Sequence, residues 1–147
     1  LCDVSGFENC LCNEKHMAKA MAEFLSLYGN SSVPLVTVVK KAIGSLAACL
    51  GSKGMGADLV FAYPASEISL MEEALAMQIL YPEASLEERE EKGKSFLAEK
   101  ASAESAAARG YIDAIILPEE TRQRLISAFD MLFGKADFDF HKKYGSI

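Results

Sequence analysis

Leu35-Val36-Thr37-Val38-Val39-Lys40-Lys41-Ala42-Ile43-Gly44-Ser45-Leu46-Ala47-Ala48-Cys49-Leu50 is the stretch that decides the fold of this chain. Positions 35–39 are apolar almost without interruption. A strand with one wet face alternates, so this run predicts a strand covered on both faces, as in a parallel sheet. The small residues at Gly44-Ser45 then predict a tight turn into a short Ala-rich helix. A buried strand feeding a helix through such a turn is the building unit of α/β proteins.

The same pattern extends in both directions. Upstream, Val33-Pro34 turns the chain into this strand. Met17, Met21, Phe24, Leu25 and Tyr28 share one helical face, which predicts a helix over 14–28 that Gly29-Asn30 stops. Leu1-Cys2-Asp3-Val4 reads as a strand over 1–4, closed by Ser5-Gly6. Downstream, Ser52-Lys53-Gly54-Met55-Gly56-Ala57 is a loop. Strands are expected over 58–62 and 67–71, on either side of Tyr63-Pro64-Ala65-Ser66. A helix over 72–81 stops at Pro82. Helices over 86–99 and 101–108 follow, with the charged residues of 83–104 forming a solvated face and Glu88/Lys92 and Glu90/Lys94 spaced as i,i+4 pairs. Gly110 ends that region. A strand over 111–116 leads to Pro118, placed for a first helical turn, and to a helix over 119–133 whose stripe is Leu125, Phe129, Leu132 and Phe133. No repeat or low-complexity linker interrupts the pattern, so residues 1–147 read as one domain.

Composition narrows the function. Of 147 residues, 15 are Lys or Arg and 21 are Asp or Glu, for a net charge of −6. A surface built for nucleic acid needs clustered cations, so nucleic acid is not expected as a partner. No apolar run is long enough to span a membrane. The opening Leu1 in place of Met suggests a fragment or a trimmed chain. Without a visible secretory signal, the four cysteines (Cys2, Cys10, Cys12, Cys49) are read as reduced thiols in the cytoplasm. Cys10-Leu11-Cys12 lacks zinc-knuckle spacing, and His16 and His141 complete no set of ligands, so no metal site is expected.

Chemistry has few places to sit. Ser45 lies outside a nucleophile-elbow context, and Gly51-Ser52-Lys53-Gly54-Met55-Gly56 is neither a P-loop nor a dinucleotide fingerprint. The turn at Gly44-Ser45-Leu46 is the strongest candidate. The first N–H groups of a helix have no partner inside it, and they carry partial positive charge. They are able to hold a developing oxyanion by backbone alone.

At this point the residues resemble a known family. Val33-Pro34-Leu35-Val36-Thr37-Val38-Val39-Lys40-Lys41-Ala42-Ile43-Gly44-Ser45 is similar to the strand and Lys-Ala-Tyr-Gly-Gly-Ala turn of biotin-dependent acyl-CoA carboxyltransferases. Residues 51–71, from Gly51-Ser52-Lys53 through Gly56-Ala57-Asp58 and Ala62-Tyr63-Pro64 to Glu67-Ile68-Ser69-Leu70-Met71, resemble the family's next strand region. Ala107-Ala108-Arg109-Gly110-Tyr111-Ile112-Asp113-Ala114 and Pro118-Glu119-Glu120-Thr121-Arg122 resemble its closing strand and helix. Leu1-Cys2-Asp3-Val4-Ser5-Gly6-Phe7 and Lys142-Lys143-Tyr144-Gly145-Ser146-Ile147 resemble its opening and terminal motifs.

The resemblance implies an α/β, crotonase-like fold of ββα units wound into a superhelix. It implies that this chain is the C-terminal, biotin-side half-domain of the carboxyltransferase. The implied reaction moves CO2 between carboxybiotin and an acyl-CoA, in the carboxylase or the decarboxylase direction. The implied cofactor is biotin on a partner carrier domain, and the substrate is an acyl-CoA. The implied partners are an acyl-CoA-binding N-terminal half or subunit and the biotin carrier domain; a half-domain core lacking a first strand leaves apolar surface without cover, which predicts self-association into a homo-oligomer. Backbone N–H groups at Gly44, Ser45 and Leu46 would face the biotin carbonyl. Several positions depart from the family pattern. Ser45 replaces its second glycine, Leu46 its alanine and Tyr63 its tryptophan, while Met71-Glu72-Glu73 replaces Met-Gly-Pro or Met-Gly-Ala. Two alternatives stay open: a non-catalytic assembly homologue, and a crotonase-type hydratase or isomerase using Glu72 or Glu73 as its proton-transferring carboxylate.

Overall fold

A computed structural model describes residues 1–8 and 10–135. The His141 position and the terminal 142–147 motif lie outside the described residues. Four strands form one sheet in the order β1 (Cys2–Val4), β2 (Val36–Ile43), β3 (Leu59–Ser69) and β4 (Ala114–Ile115), all parallel. The helices are α1 (Leu11–Gly29), α2 (Gly44–Cys49), α3 (Glu73–Leu80), α4 (Leu86–Phe96), α5 (Ala103–Ala108) and α6 (Thr121–Leu132).

The two-faced apolar run does what its pattern requires. Val38 and Val39 point to opposite faces and enter different cores. Val39 joins Cys2, Val60, Ala62, Ala103, Ala106 and Ile112 on one face, and Val38 joins Phe61, Ile116 and Ala128 on the other. Four of the eight residues of the first core are alanines, two of them on α5, which lets that helix approach the sheet closely.

The structure departs from the sequence reading in five places. The strands expected over 58–62 and 67–71 form a single strand, β3, carrying a wide bulge. From Val39 to Lys41, β2 advances two residues while β3 advances five, from Ala62 to Glu67. Pro64 sits in this bulge, where its missing N–H breaks no ladder bond. The buried Ser66 hydroxyl closes the bulge, accepting from the Tyr63 N–H at 3.0 Å and donating to the Val39 carbonyl at 2.6 Å. The strand expected over 111–116 shrinks to Ala114–Ile115, because the Asp113 carboxylate takes the Val60 N–H at 2.9 Å in place of a ladder carbonyl.

The helix expected over 86–99 instead ends at Phe96 and widens into a π-turn, Leu97–Ala101, before Ser102 caps α5 by accepting from the Ser105 N–H. Within that region the i,i+4 pairs do not close: the Glu88 carboxylate turns back to the Ser85 N–H in a capping box, and the Lys92 ammonium sits 3.8 Å from the centre of the Tyr81 ring. In α6 the inward face is Leu125, Ala128 and Leu132. Phe129 and Phe133 point outward at 46% and 92% exposure, because Ala128 is the residue that meets the sheet.

Two aspartates tie distant segments together. Asp58 accepts from the Leu35 N–H at 2.8 Å and pairs with Lys135 at 2.8 Å, so it links the start of β2 to the chain after α6. Asp113 pairs with Lys53 and holds the loop after α2 against β4. Burial pushes both carboxyls up, but the lysine hydrogen bonds, backbone N–H groups and lysine charges outweigh it. Both pKa values therefore lie below the ordinary aspartate range. A carboxylate held low in the folded state stabilises it above the unfolded pKa, and that contribution disappears as pH falls through the folded value. The urea midpoint is expected to fall as pH drops below about 4. Asp58→Asn is expected to flatten that slope, and an unchanged slope would remove Asp58 from this role.

Candidate functional site

The Gly44–Leu46 turn follows from where β2 ends. Ile43 pairs with Ser69 as the last rung between β2 and β3. Gly44 then takes φ +81°, a left-handed conformation open to glycine at little cost, and the chain enters α2. A Cβ built on Gly44 would lie 3.9 Å from the Gly6 Cα, so the loop after β1 packs beside the turn. Among the described residues, the N–H groups of Ser45 and Leu46 find no acceptor, and no side chain caps α2. The Ser45 side chain is exposed and Leu46 is half-buried.

A cavity of about 890 Å³ lies between the sheet and α2, α3, α4 and α5. Gly44 is on its wall, followed along α2 by Ala47 and Ala48, while Ser45 and Leu46 fall outside the lining. The three positions singled out in the sequence are thus contiguous in space, with only the first facing the cavity. Ser69, Leu70 and Met71, at the end of β3, form the wall nearest the turn. A smaller pocket of about 230 Å³ abuts the same strand ends and is lined by Lys41, Glu67, Glu72 and Glu73. Lys41 and Glu67 pair across it at 3.7 Å. The two acids at 72 and 73 therefore face this pocket and not the cavity. Glu73 is half-buried, its carboxylate lying against Gly93 of α4, where α3 and α4 cross.

Sequence reasoning missed the cationic side of the cavity. Lys92, Ser95, Phe96, Glu99 and Lys100 line it from α4 and the π-turn, and Arg109 lines it from the end of α5. This region reads as a solvated face because its charges are dense. The signal lay in the spacing of Lys92, Phe96, Glu99 and Lys100, which puts one aromatic and several long side chains on a single stripe. Among the described residues, no group of three or more His, Cys, Asp or Glu side chains is placed to hold a metal ion, and all four cysteines are free thiols.

The chain is a parallel sheet wrapped by helices, with a glycine turn at a strand end opening on a cavity, and solved carboxyltransferases of crotonase-like fold share that arrangement. Two solved structures carry that likeness. One is transcarboxylase 12S, crystallised as a hexamer with methylmalonyl-coenzyme A and methylmalonic acid bound. It superposes with a TM-score of 0.90 at 31% identity, over 98% of this chain and 29% of that one. The other is the β subunit of Pseudomonas aeruginosa geranyl-CoA carboxylase, with a TM-score of 0.78 at 21% identity, over 98% of this chain and 29% of that one, a likeness of fold alone.

Residues 1–147 match the carboxyl transferase domain model throughout, and the chain belongs to that family. Its relatives include the Bacillus subtilis (strain 168) protein named "Putative propionyl-CoA carboxylase beta chain", 40% identical over 99% of this chain and 30% of that protein. They also include the Veillonella parvula methylmalonyl-CoA decarboxylase subunit alpha, 36% identical over 86% of this chain and 25% of that subunit. The chain thus spans less than a third of the length of these curated relatives. No helix among the described residues is long and apolar enough to cross a membrane.

Proposed function

We propose that this chain is the biotin-side, C-terminal half of an acyl-CoA carboxyltransferase that works in the cytoplasm. In this reading it moves CO2 between carboxybiotin and an acyl-CoA, together with an acyl-CoA-binding N-terminal half and a biotin carrier domain. The observation that carries the reading is the pair of N–H groups at Ser45 and Leu46, left without acceptors beside a left-handed Gly44 at the cavity wall. Two backbone donors with no partner of their own fit a ureido carbonyl, which offers a single oxygen with two lone pairs. Biotin, when bound, supplies the carboxyl group that is transferred. The chain's own residues orient it: Gly44 sets the direction of the turn, and the Ser45 and Leu46 N–H groups draw charge onto the carbonyl oxygen as it develops.

The relatives' substrates and the 12S hexamer support partner chains and an oligomer for this half as well. So does the apolar ridge of Leu75, Ile79 and Leu80 on α3, which stays exposed among the described residues. The hydratase or isomerase alternative loses its acid, because Glu72 and Glu73 line the smaller pocket. The assembly-subunit alternative keeps one observation in its favour, the charged Glu72-Glu73 rim where the family has glycine.

The test is reconstitution. Purified chain combined with an acyl-CoA-binding half and a biotinylated carrier domain is expected to transfer labelled CO2 onto propionyl-CoA, while each component alone is inactive. A stable complex that shows no transfer with any short acyl-CoA, in either direction, makes the assembly role the better reading.

A further inference from the structure

We infer that Cys10 and Cys12 form a thiol–disulfide exchange site, a dithiol that a small-molecule disulfide of the glutathione type oxidises to a Cys10–Cys12 bond. This goes beyond the reading above, because no step of it uses the Gly44 turn. The four thiols fall into two classes. Cys2 and Cys49 are buried, whereas Cys10 is half-buried and Cys12 is exposed, so solvent reaches the second pair. Access of this kind decides which thiols exchange. Cys10 is the last residue before α1 and has an extended backbone, and Cys12 is the second residue of the helix. Leu11 between them is helical, which sets their Cα atoms about 5.4 Å apart by the radius and rise of a helix. That lies within the span of about 4.4–6.8 Å that a disulfide bridges.

The helix itself opposes closure. Residues two apart on a helix point to different sides, so joining the sulfurs requires backbone movement. The movement available is unwinding of the first turn. It breaks the bond from the Glu14 N–H to the Cys10 carbonyl, 3.0 Å, and loosens the Asn13 amide from the Glu8 carbonyl, 2.6 Å. Little else resists, because among the described residues none in α1 is buried. Exposed helix ends open at low free-energy cost. The first turn and the disulfide therefore compete, and a disulfide closed against a helix is strained and readily reduced, the labile and reversible kind. In the forward direction Cys12 gives its proton to water, and its thiolate attacks one sulfur of the small disulfide. That S–S bond breaks, and one glutathione leaves as a thiolate that takes up a proton. Cys10 then gives up its proton, attacks the Cys12 sulfur of the mixed disulfide and releases the second glutathione. The chain loses two electrons and two protons, and the small disulfide becomes two thiols.

The experiment equilibrates the full chain at rising ratios of glutathione disulfide to glutathione. Acid stops the exchange, iodoacetamide in denaturant blocks the remaining thiols, and intact and peptide masses are read. The oxidised chain is expected to lose two alkylation sites and two hydrogens, mapped to Cys10 and Cys12, while Cys2 and Cys49 are still alkylated. Dithiothreitol is expected to restore both sites. Hydrogen exchange at the Glu14 N–H is expected to quicken about tenfold or more on oxidation. Cys10→Ser places a favourable capping residue before α1, so it keeps the fold, and it is expected to stop at a glutathione mixed disulfide on Cys12. Cys12→Ser leaves the half-buried thiol alone and is expected to react about tenfold or more slowly than the parent. The inference is overturned if the parent accumulates a mixed disulfide with no internal bond, or if all four thiols stay alkylated at the highest ratio. It is also overturned if Cys12 links two copies of the chain, if Cys2 or Cys49 is the bonded partner, or if Glu14 exchange is unchanged by oxidation. Because every readout is chemical and none needs turnover, failure of the carboxyl-transfer reading leaves these outcomes intact.

Discussion

Gly51→Ala is expected to destabilise the fold by about 2–5 kcal/mol, from a left-handed backbone strain and a steric clash acting together. Gly51 has φ +87° and is buried just after α2. A Cβ there would run into the Thr37 hydroxyl and come within 2.9 Å of the Tyr28 hydroxyl. Those two side chains also meet each other, at 3.5 Å, so neither has free space to retreat. Thr37 is a buried strand residue and cannot swing away without disturbing β2. Urea unfolding followed by circular dichroism measures the loss. Thr37→Ala in the same chain removes the clashing oxygen but not the backbone strain. The double variant is therefore expected to recover part of the loss and no more. A single variant within about 0.5 kcal/mol of the parent would show that the loop relaxes freely there. The consequence reaches the site, because Gly51 and Thr37 both line the cavity that Gly44 opens upon.

How much of this was legible depends on which physical signal each residue carries. The nearly unbroken apolar run at 35–39 suits a strand with two covered faces, and Val38 and Val39 do divide between two cores. The Gly44 turn was legible for a similar reason, since a glycine between a buried strand and a small-residue helix has few other uses. The bulge in β3 was half legible. Tyr63-Pro64-Ala65-Ser66 read as a break because proline cannot donate to a ladder. That Ser66 would bridge the break with its hydroxyl, and so keep one strand continuous, depends on a carbonyl of Val39 that no local pattern reveals. The stripe of α6 was misread because Phe outranks Ala in any hydrophobic count. What packs is decided by clearance, and Ala128 gives α6 its closest approach to the sheet. The cavity cations were hidden for the opposite reason. Lys92 and Lys100 sit among so many charges that composition alone assigns them to water. Their shared wall exists only once α4 widens into the π-turn and lies beside α5.

Ser45→Pro is expected to lower carboxyl transfer in the reconstituted enzyme by about 10²–10³-fold, the usual consequence of losing one oxyanion donor. The substitution is informative because it should spare the fold. Ser45 is the second residue of α2, its side chain is exposed, and its N–H has no acceptor among the described residues. Proline in a first helical turn removes a donor that makes no internal bond and brings a dihedral close to the helical one. The melting temperature is therefore expected to stay near that of the parent while kcat collapses. The KM for acyl-CoA is expected to hold, since in this reading the acyl-CoA is bound chiefly by the other half. Ser45→Gly separates backbone from side chain: it keeps the N–H, restores the paired glycine of the family pattern, and is expected to match or exceed the parent turnover. If Ser45→Pro remains folded and fully active, the turn is not an oxyanion site. If Ser45→Gly is instead as damaging as proline, the hydroxyl does the work and the backbone argument fails. Loss in proline together with retention in glycine is the one outcome that assigns the chemistry to the Ser45 N–H.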